Sequence, residues 1–179
     1  MPPEHAAGHN LMPATVETGA LCPLDTPRFL CDEMLQGLGE WLRVAGYDTR
    51  LPETGTEDRD VLAMAVAENR WLVTRDRALA LHRDGPLYVL LLESGGQDAC
   101  IRELTGKLNL DWLHAPFSRC KRCNTPFREG PLPGSSASPE SSPQTLLHCT
   151  QCHQTFWKGS HVRRMREKLR EFNRWRRTE

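Results

Sequence analysis

Between Phe29 and Leu108 the apolar positions switch repeatedly between two periods. Phe29-Leu30-Cys31 and Trp71-Leu72-Val73-Thr74 are short runs bounded by charged residues, the pattern of strands within a sheet. After the first run, Met34, Leu35, Leu38, Trp41, Leu42 and Ala45 recur at helical spacing, and Gly46 stops that helix. Tyr47 to Leu51 reads as a second strand. A helix with Val61, Leu62, Ala65 and Val66 on its apolar side follows, capped by Thr56 or Asp58 and ending near Asn69. Arg75-Asp76 leads into a short helix reaching His82. Leu87 to Leu92 is an unbroken apolar run, as expected of a strand buried on both faces. A last helix is predicted from about Gln97 to Leu108. This alternation predicts an α/β fold, a parallel sheet flanked by helices and joined by right-handed crossovers.

Outside this region the pattern changes. Residues 1–28 are rich in Pro, Gly, Ala and Thr without periodicity and read as a disordered leader. Residues 130–144, GPLPGSSASPESSPQ, have the same character and read as a flexible loop. Near the end, Val162, Met165, Leu169, Phe172 and Trp175 form a helical apolar stripe surrounded by arginines. The stripe is expected to pack on the protein's own body. The chain thus divides into a leader (1–28), an α/β domain (29–115) and a small C-terminal unit with a basic helix (116–179).

Composition sharpens the division. A chain of 179 residues holds one ordinary domain and a small appendage. The formal net charge is zero, but residues 29–115 carry 9 Lys+Arg against 15 Asp+Glu, and residues 116–179 carry 13 against 5. An acidic body joined to a basic tail suits divalent cations in one part and an anionic polymer in the other. It equally suits a dipole that docks the two parts on each other. No run of 18 apolar residues occurs, so no membrane span is expected, and the N-terminal residues lack the pattern of a signal peptide.

Four of the seven cysteines form two CxxC pairs, Cys120-Lys-Arg-Cys123 and Cys149-Thr-Gln-Cys152. Two intervening residues let one tight turn aim both thiolates at a single ion, and two such turns complete the tetrahedron that Zn²⁺ prefers. The pairs therefore predict a structural zinc ribbon. Surviving thiols imply a reducing cytoplasm. Two disulfides are the alternative, and they suit a secreted chain. A redox CxxC would follow a strand and open a helix, which neither pair does.

The acidic residues point to a second metal. In a parallel α/β sheet, sites form at the C-terminal ends of the strands. Asp32 ends the first strand, Asp76 follows the third, and Asp58 and Asp60 open the helix after the second. Each could simply cap a helix. Together they would converge on one rim, where carboxylate repulsion is relieved by a hard cation such as Mg²⁺ or Mn²⁺.

These residues carry a family resemblance. Phe-Leu-Cys-Asp32-Glu-Met-Leu-Gln-Gly-Leu-Gly-Glu-Trp-Leu-Arg-Val-Ala-Gly, Glu-Asp58-Arg-Asp60-Val-Leu-Ala and Trp-Leu-Val-Thr74-Arg75-Asp76-Arg77 resemble the Mut-seven C-terminal RNase family. Phe156-Trp157-Lys158-Gly159-Ser160-His161 and the Arg-rich helix fit the same family. The resemblance spans roughly residues 28–170. It implies a PIN-like fold ending in a zinc ribbon, and a ribonuclease dependent on Mg²⁺ or Mn²⁺. Asp32 and Asp76 then match the family's strand-end acids, Asp58 or Asp60 the acid of the second helix, and Thr74 holds the turn through its hydroxyl. The basic unit, with Lys158, Arg163, Arg164 and Arg166 as contacts, would engage the backbone of RNA, taken as single-stranded. The chain departs from the family pattern at Ala78 and Leu79, where relatives often carry another acid. That departure keeps open an alternative, a catalytically weak or inactive PIN-like RNA-binding adaptor.

Overall fold

The computed structural model describes residues 26–130, 147–156 and 159–177. Most of the leader, the Pro/Ser loop from residue 131 onward, and Lys158 lie outside the described residues. Four strands, β1 (Phe29–Cys31), β2 (Thr49–Arg50), β3 (Trp71–Thr74) and β4 (Val89–Leu91), form a parallel sheet in the order β2-β1-β3-β4. Helices α1 (Gln36–Val44), α2 (Asp58–Ala67), α3 (Arg77–Leu81), α4 (Gly85–Tyr88) and α5 (Gln97–Leu108) lie between and after the strands. A second, antiparallel sheet of β5 (Arg128–Glu129), β6 (Leu147–His148) and β7 (Thr155–Phe156) precedes α6 (Ser160–Asn173).

The sheet separates two cores by simple alternation. Phe29, Cys31, Val73, Leu90 and Leu92 face one side, where they pack with α1, α5 and α6. Leu30, Leu72 and Val89 face the other, against Val61, Leu62 and Ala65 of α2 and Leu79 of α3. A period of two in side-chain direction requires this division once both faces are covered. The basic helix is part of the larger core, since Met165, Leu169 and Phe172 are buried beside Trp112, Leu104 and Leu42. Phe172 meets Trp41 and Trp112 edge-on, with ring centroids 5.2 and 5.3 Å apart. The expected docking of the apolar stripe on the protein's own body is therefore observed.

Three local expectations are corrected. The first helix opens with a 3₁₀ turn at Glu33–Leu35. Its tighter winding takes Met34 out of the apolar face, and Met34 is 73 % exposed. The second strand is only Thr49–Arg50. Tyr47 N–H instead donates to Leu42 O (2.9 Å) at the helix exit, and Pro52 ends the extension. The run from Leu87 begins in α4, where Pro86 sits in the first turn, and only Val89–Leu91 pair with β3. β4 is thus an edge strand of the sheet.

At the amino end of the strands an ion network ties the elements together. Arg70, whose side chain is 7 % exposed, donates to Asp48 Oδ1 (2.9 Å), Phe29 O (3.2 Å) and Glu68 Oε2 (2.6 Å). Arg28 pairs with Asp48 Oδ2 (3.2 Å), and Asn124 Nδ2 donates to Asp48 Oδ1 (2.7 Å). Burial pushes the Asp48 carboxyl up, but the bonds from Arg70 and Asn124 outweigh it and hold it at about 2, below the ordinary 3.8. The folded state therefore binds this proton less readily than the unfolded chain does. The stabilisation is complete above the unfolded pKa and is lost as pH falls through the folded one. We expect Asp48→Asn to lose about 2 kcal/mol at neutral pH. Its stability curve, measured with denaturant, should converge on that of wild type as the pH falls toward about 2.

Candidate active site and cysteine cluster

Strand order places β1 between β2 and β3, so the chain leaves β1 in one direction and returns on its other side. Such a switch leaves a crevice outside the carboxyl ends of the strands. A cleft of about 440 Å³ lies there, lined by Asp32, Glu33, Met34, Asp58, Arg75 and Asp76. Asp32 follows β1, and its amide donates to Val73 O (3.0 Å), extending the β1–β3 ladder to the edge of the cleft. Thr74, wholly buried at the end of β3, is the organising residue. Its hydroxyl donates to Asp32 Oδ2 (2.8 Å) and accepts from the Asp76 amide (2.9 Å). One side chain therefore sets the positions of both strand-end acids. Asp76 also caps α3, accepting from Ala78 N–H at 2.7 Å.

Asp58 reaches the cleft from the first turn of α2, whose N-cap Glu57 makes no side-chain cap bond. Thr56 is not the cap either, since its hydroxyl donates to Glu53 O (2.7 Å). Desolvation, the charges of Asp76 and Asp32 and a hydrogen bond with Asp76 all raise the Asp58 carboxyl above its ordinary range. Three acids from three elements thus repel one another at one rim. Asp60 does not line the cleft. It is exposed and lies 3.6 Å from Arg59 Nε. Glu33, which sequence reasoning did not single out, contributes a fourth carboxylate and accepts from Gly55 N–H at 3.1 Å. Its only sequence signal is adjacency to Asp32. The oxygen donors suit a hard divalent cation. In the conformation described they are not drawn into a single cluster within 4.8 Å, unlike the cysteines.

The ligand atoms of Cys120, Cys123, Cys149 and Cys152 all lie within 4.8 Å of one another, with Sγ–Sγ distances of 3.5 Å for Cys120–Cys152 and 3.3 Å for Cys123–Cys149. A zinc tetrahedron with Zn–S bonds of about 2.3 Å has sulfur–sulfur edges of about 3.8 Å, close to this arrangement. The two CxxC turns repeat one design. Cys120 N–H donates to Thr125 O and Cys149 N–H to Gln154 O, each at 2.9 Å. Asn124 and His153, each one residue past its pair, take the left-handed conformation (φ 68° and 56°) that closes the turn. Burial disfavours the Cys123 thiolate, but the Thr125 hydroxyl and amide and the neighbouring thiols outweigh it and bring its pKa to about 6. Burial pushes the Cys120 thiol up to about 12 and raises Cys152 as well, so negative charge gathers first at Cys123. His148 does not enter the cluster. Its Nδ1 lies 3.1 Å from Gly130 O.

The first turn is anchored on the main sheet. Arg43 of α1, 5 % exposed, donates from Nη1 to Lys121 O (3.0 Å) and Arg122 O (2.7 Å) and from Nε to Thr49 O (2.8 Å). Asn124 Oδ1 accepts from Thr49 N–H (3.1 Å) at the free edge of β2. On α6, Arg163, Arg164 and Arg166 are all exposed. Arg166 stands 5.4 Å from the Phe117 ring centroid, and Lys168 pairs with Asp98 and Glu171.

These features define an α/β protein with a parallel sheet, an acidic cleft at its carboxyl edge and a four-cysteine cluster able to hold zinc. The model of the Mut7-C RNAse domain family matches residues 27–169, most of the chain, and the chain belongs to that family. Membership gives it a ribonuclease-like character. No curated protein and no solved structure matches the chain.

Proposed function

We propose that this chain is a PIN-like, Mg²⁺- or Mn²⁺-dependent ribonuclease that hydrolyses RNA phosphodiester bonds. The observation that carries the reading is the convergence of Asp32, Asp58 and Asp76, from three separate elements, on one cleft at the carboxyl edge of the sheet. The raised Asp58 carboxyl marks a repulsion that a divalent cation relieves. Bound there, such an ion supplies water activation and offsets charge on the phosphate. Asp32 and Asp76 hold it, with their carboxylates kept in place by Thr74 and by the α3 amide of Ala78. Asp58 takes precedence over Asp60 as the further ligand because only Asp58 lines the cleft. The exposed thioether of Met34 in the same cleft offers an apolar rest for an unstacked base, which favours a single-stranded substrate.

The unit after residue 116 serves RNA binding in this reading. The four cysteines hold one structural Zn²⁺, closing the coordination shell and leaving no position for water. Arg163 and Arg164 supply phosphate contacts, joined by Lys158, whereas Arg166 is partly committed to Phe117. Thiolates kept for a metal ion belong in a reducing compartment, and the reading places the chain in the cytoplasm. Among the described residues no helix is long and apolar enough to cross a membrane. The adaptor reading draws on Ala78 and Leu79, which bring no acid to the cleft.

The decisive experiment is cleavage of single-stranded RNA in Mn²⁺. Wild type is expected to cleave. Asp32→Asn and Asp76→Asn should lose at least about a hundredfold in rate while remaining folded, because Asn preserves shape and removes the charge. Equal rates for the Asn variants would displace the site, and an inactive wild type would leave the adaptor. Elemental analysis should find one zinc per chain. A strong chelator should melt the C-terminal sheet, as seen by loss of dispersed amide signals from residues near the cysteines. Zinc retained in full by Cys120→Ser would contradict this. Charge removal at Arg163 and Arg164 together should lower the slope of log affinity against log salt by about 1.4, two phosphate contacts on a single strand.

A further inference from the structure

We infer that Arg75 is the phosphate-positioning residue of the acidic cleft, holding the RNA backbone at the rim that it shares with the carboxylates. This rests on the nuclease reading of that cleft. Arg75 is the one cation lining a cleft otherwise bordered by Asp32, Glu33, Asp58 and Asp76. A guanidinium among four carboxylates ordinarily forms a bidentate ion pair. Among the described residues Arg75 makes none, although Arg77 pairs with Glu93 and Arg59 with Glu57 close by.

The surrounding bonds account for this. Asp32 is held by Thr74, Asp76 by the Ala78 amide and Glu33 by the Gly55 amide, so these three carboxylates already have donors. Asp58 carries a carboxyl pushed up by desolvation and by the charges of Asp76 and Asp32, and no ion pair joins it to Arg75 among the described residues. The charge of Arg75 also reaches the Cys100 thiol on α5, where it works against the upward push of burial. The Arg75 side chain is exposed to solvent at the rim of the cleft.

Charge makes such a group necessary. Four ionised carboxylates with one divalent cation leave the cleft with a formal charge of −2, which repels a phosphodiester. Arg75 halves that residue and presents a planar fork of donors matched to two phosphate oxygens. Backbone geometry also isolates it. Thr74 and Asp76, on either side in sequence, are bound into the protein, and the residue between them points out from the turn.

The test uses the full chain and a short single-stranded oligoribonucleotide, with binding measured in Ca²⁺ and cleavage in Mn²⁺. Arg75→Gln should weaken binding roughly tenfold at low salt and lower the salt slope by about 0.7, one phosphate on a single strand. Arg75→Lys should restore the slope but not the full cleavage rate, because an ammonium lacks the bidentate fork. Mn²⁺ affinity, followed by its EPR signal, should be unchanged or tighter in Arg75→Gln, since a cation has been removed beside the site. An unchanged slope and affinity in Arg75→Gln would overturn the proposal, as would weaker Mn²⁺ binding, which would make Arg75 a support for the carboxylates. If wild type binds without cleaving, loss of binding in Arg75→Gln still upholds the phosphate contact while the nuclease reading fails.

Discussion

The buried guanidinium of Arg43 is the joint on which the arrangement of the molecule depends. It issues from the last turn of α1 and satisfies carbonyls of β2 and of the first CxxC turn together. Taking a guanidinium out of water is costly unless its donors are matched, and burial lowers the Arg43 pKa accordingly, opposed by the thiols of Cys31, Cys123 and Cys120. Three carbonyls supply that match. The requirement is mutual: the carbonyls of Lys121 and Arg122 need a donor, and the arginine needs acceptors held at a fixed spacing. The tight turn of the first CxxC pair provides that spacing. The position of the small C-terminal sheet is thus specified by polar satisfaction at one point. Close packing at Gly46 reinforces it, because a Cβ there would lie 2.4 Å from Ala115 O and the backbone has φ 101°.

From this joint the two poles of the sheet take opposite characters. At the amino end, Arg28, Arg70, Asp48 and Glu68 neutralise one another in a closed network. At the carboxyl end, Asp32, Asp58 and Asp76 form no ion pair among the described residues, and Thr74 and the Ala78 amide hold Asp32 and Asp76 instead. Paired charges stabilise, whereas charges kept apart from counter-ions store electrostatic potential for a ligand.

Much of this was legible in the chain. The apolar runs of β1 and β3 located Asp32 and Asp76 at strand ends, and CxxC spacing picked out the four thiols that gather into one cluster, because both signals are local. What stayed hidden depended on tertiary partners. Met34 fits a helical stripe, yet a 3₁₀ turn rotates it into solvent. Asp58 and Asp60 look equivalent in sequence, and only the approach of α2 to the cleft separates them. Arginines on α6 look alike as well, but Phe117 and Asp98 take up Arg166 and Lys168. Such distinctions arise from residues far away in the chain, which no periodicity encodes.

The bond from Thr49 N–H to Asn124 has a consequence for the outer rim of the sheet. Among the described residues no strand pairs with the far side of β2, and open strand borders recruit other chains. Here a side-chain amide, presented by the left-handed residue that ends a cysteine turn, occupies the vacant position. The thiolate cluster therefore acts as a selvedge, finishing the border of a sheet it does not belong to. Were that turn to open, the Thr49 amide would lose its partner and the border would lie bare to other copies of the chain.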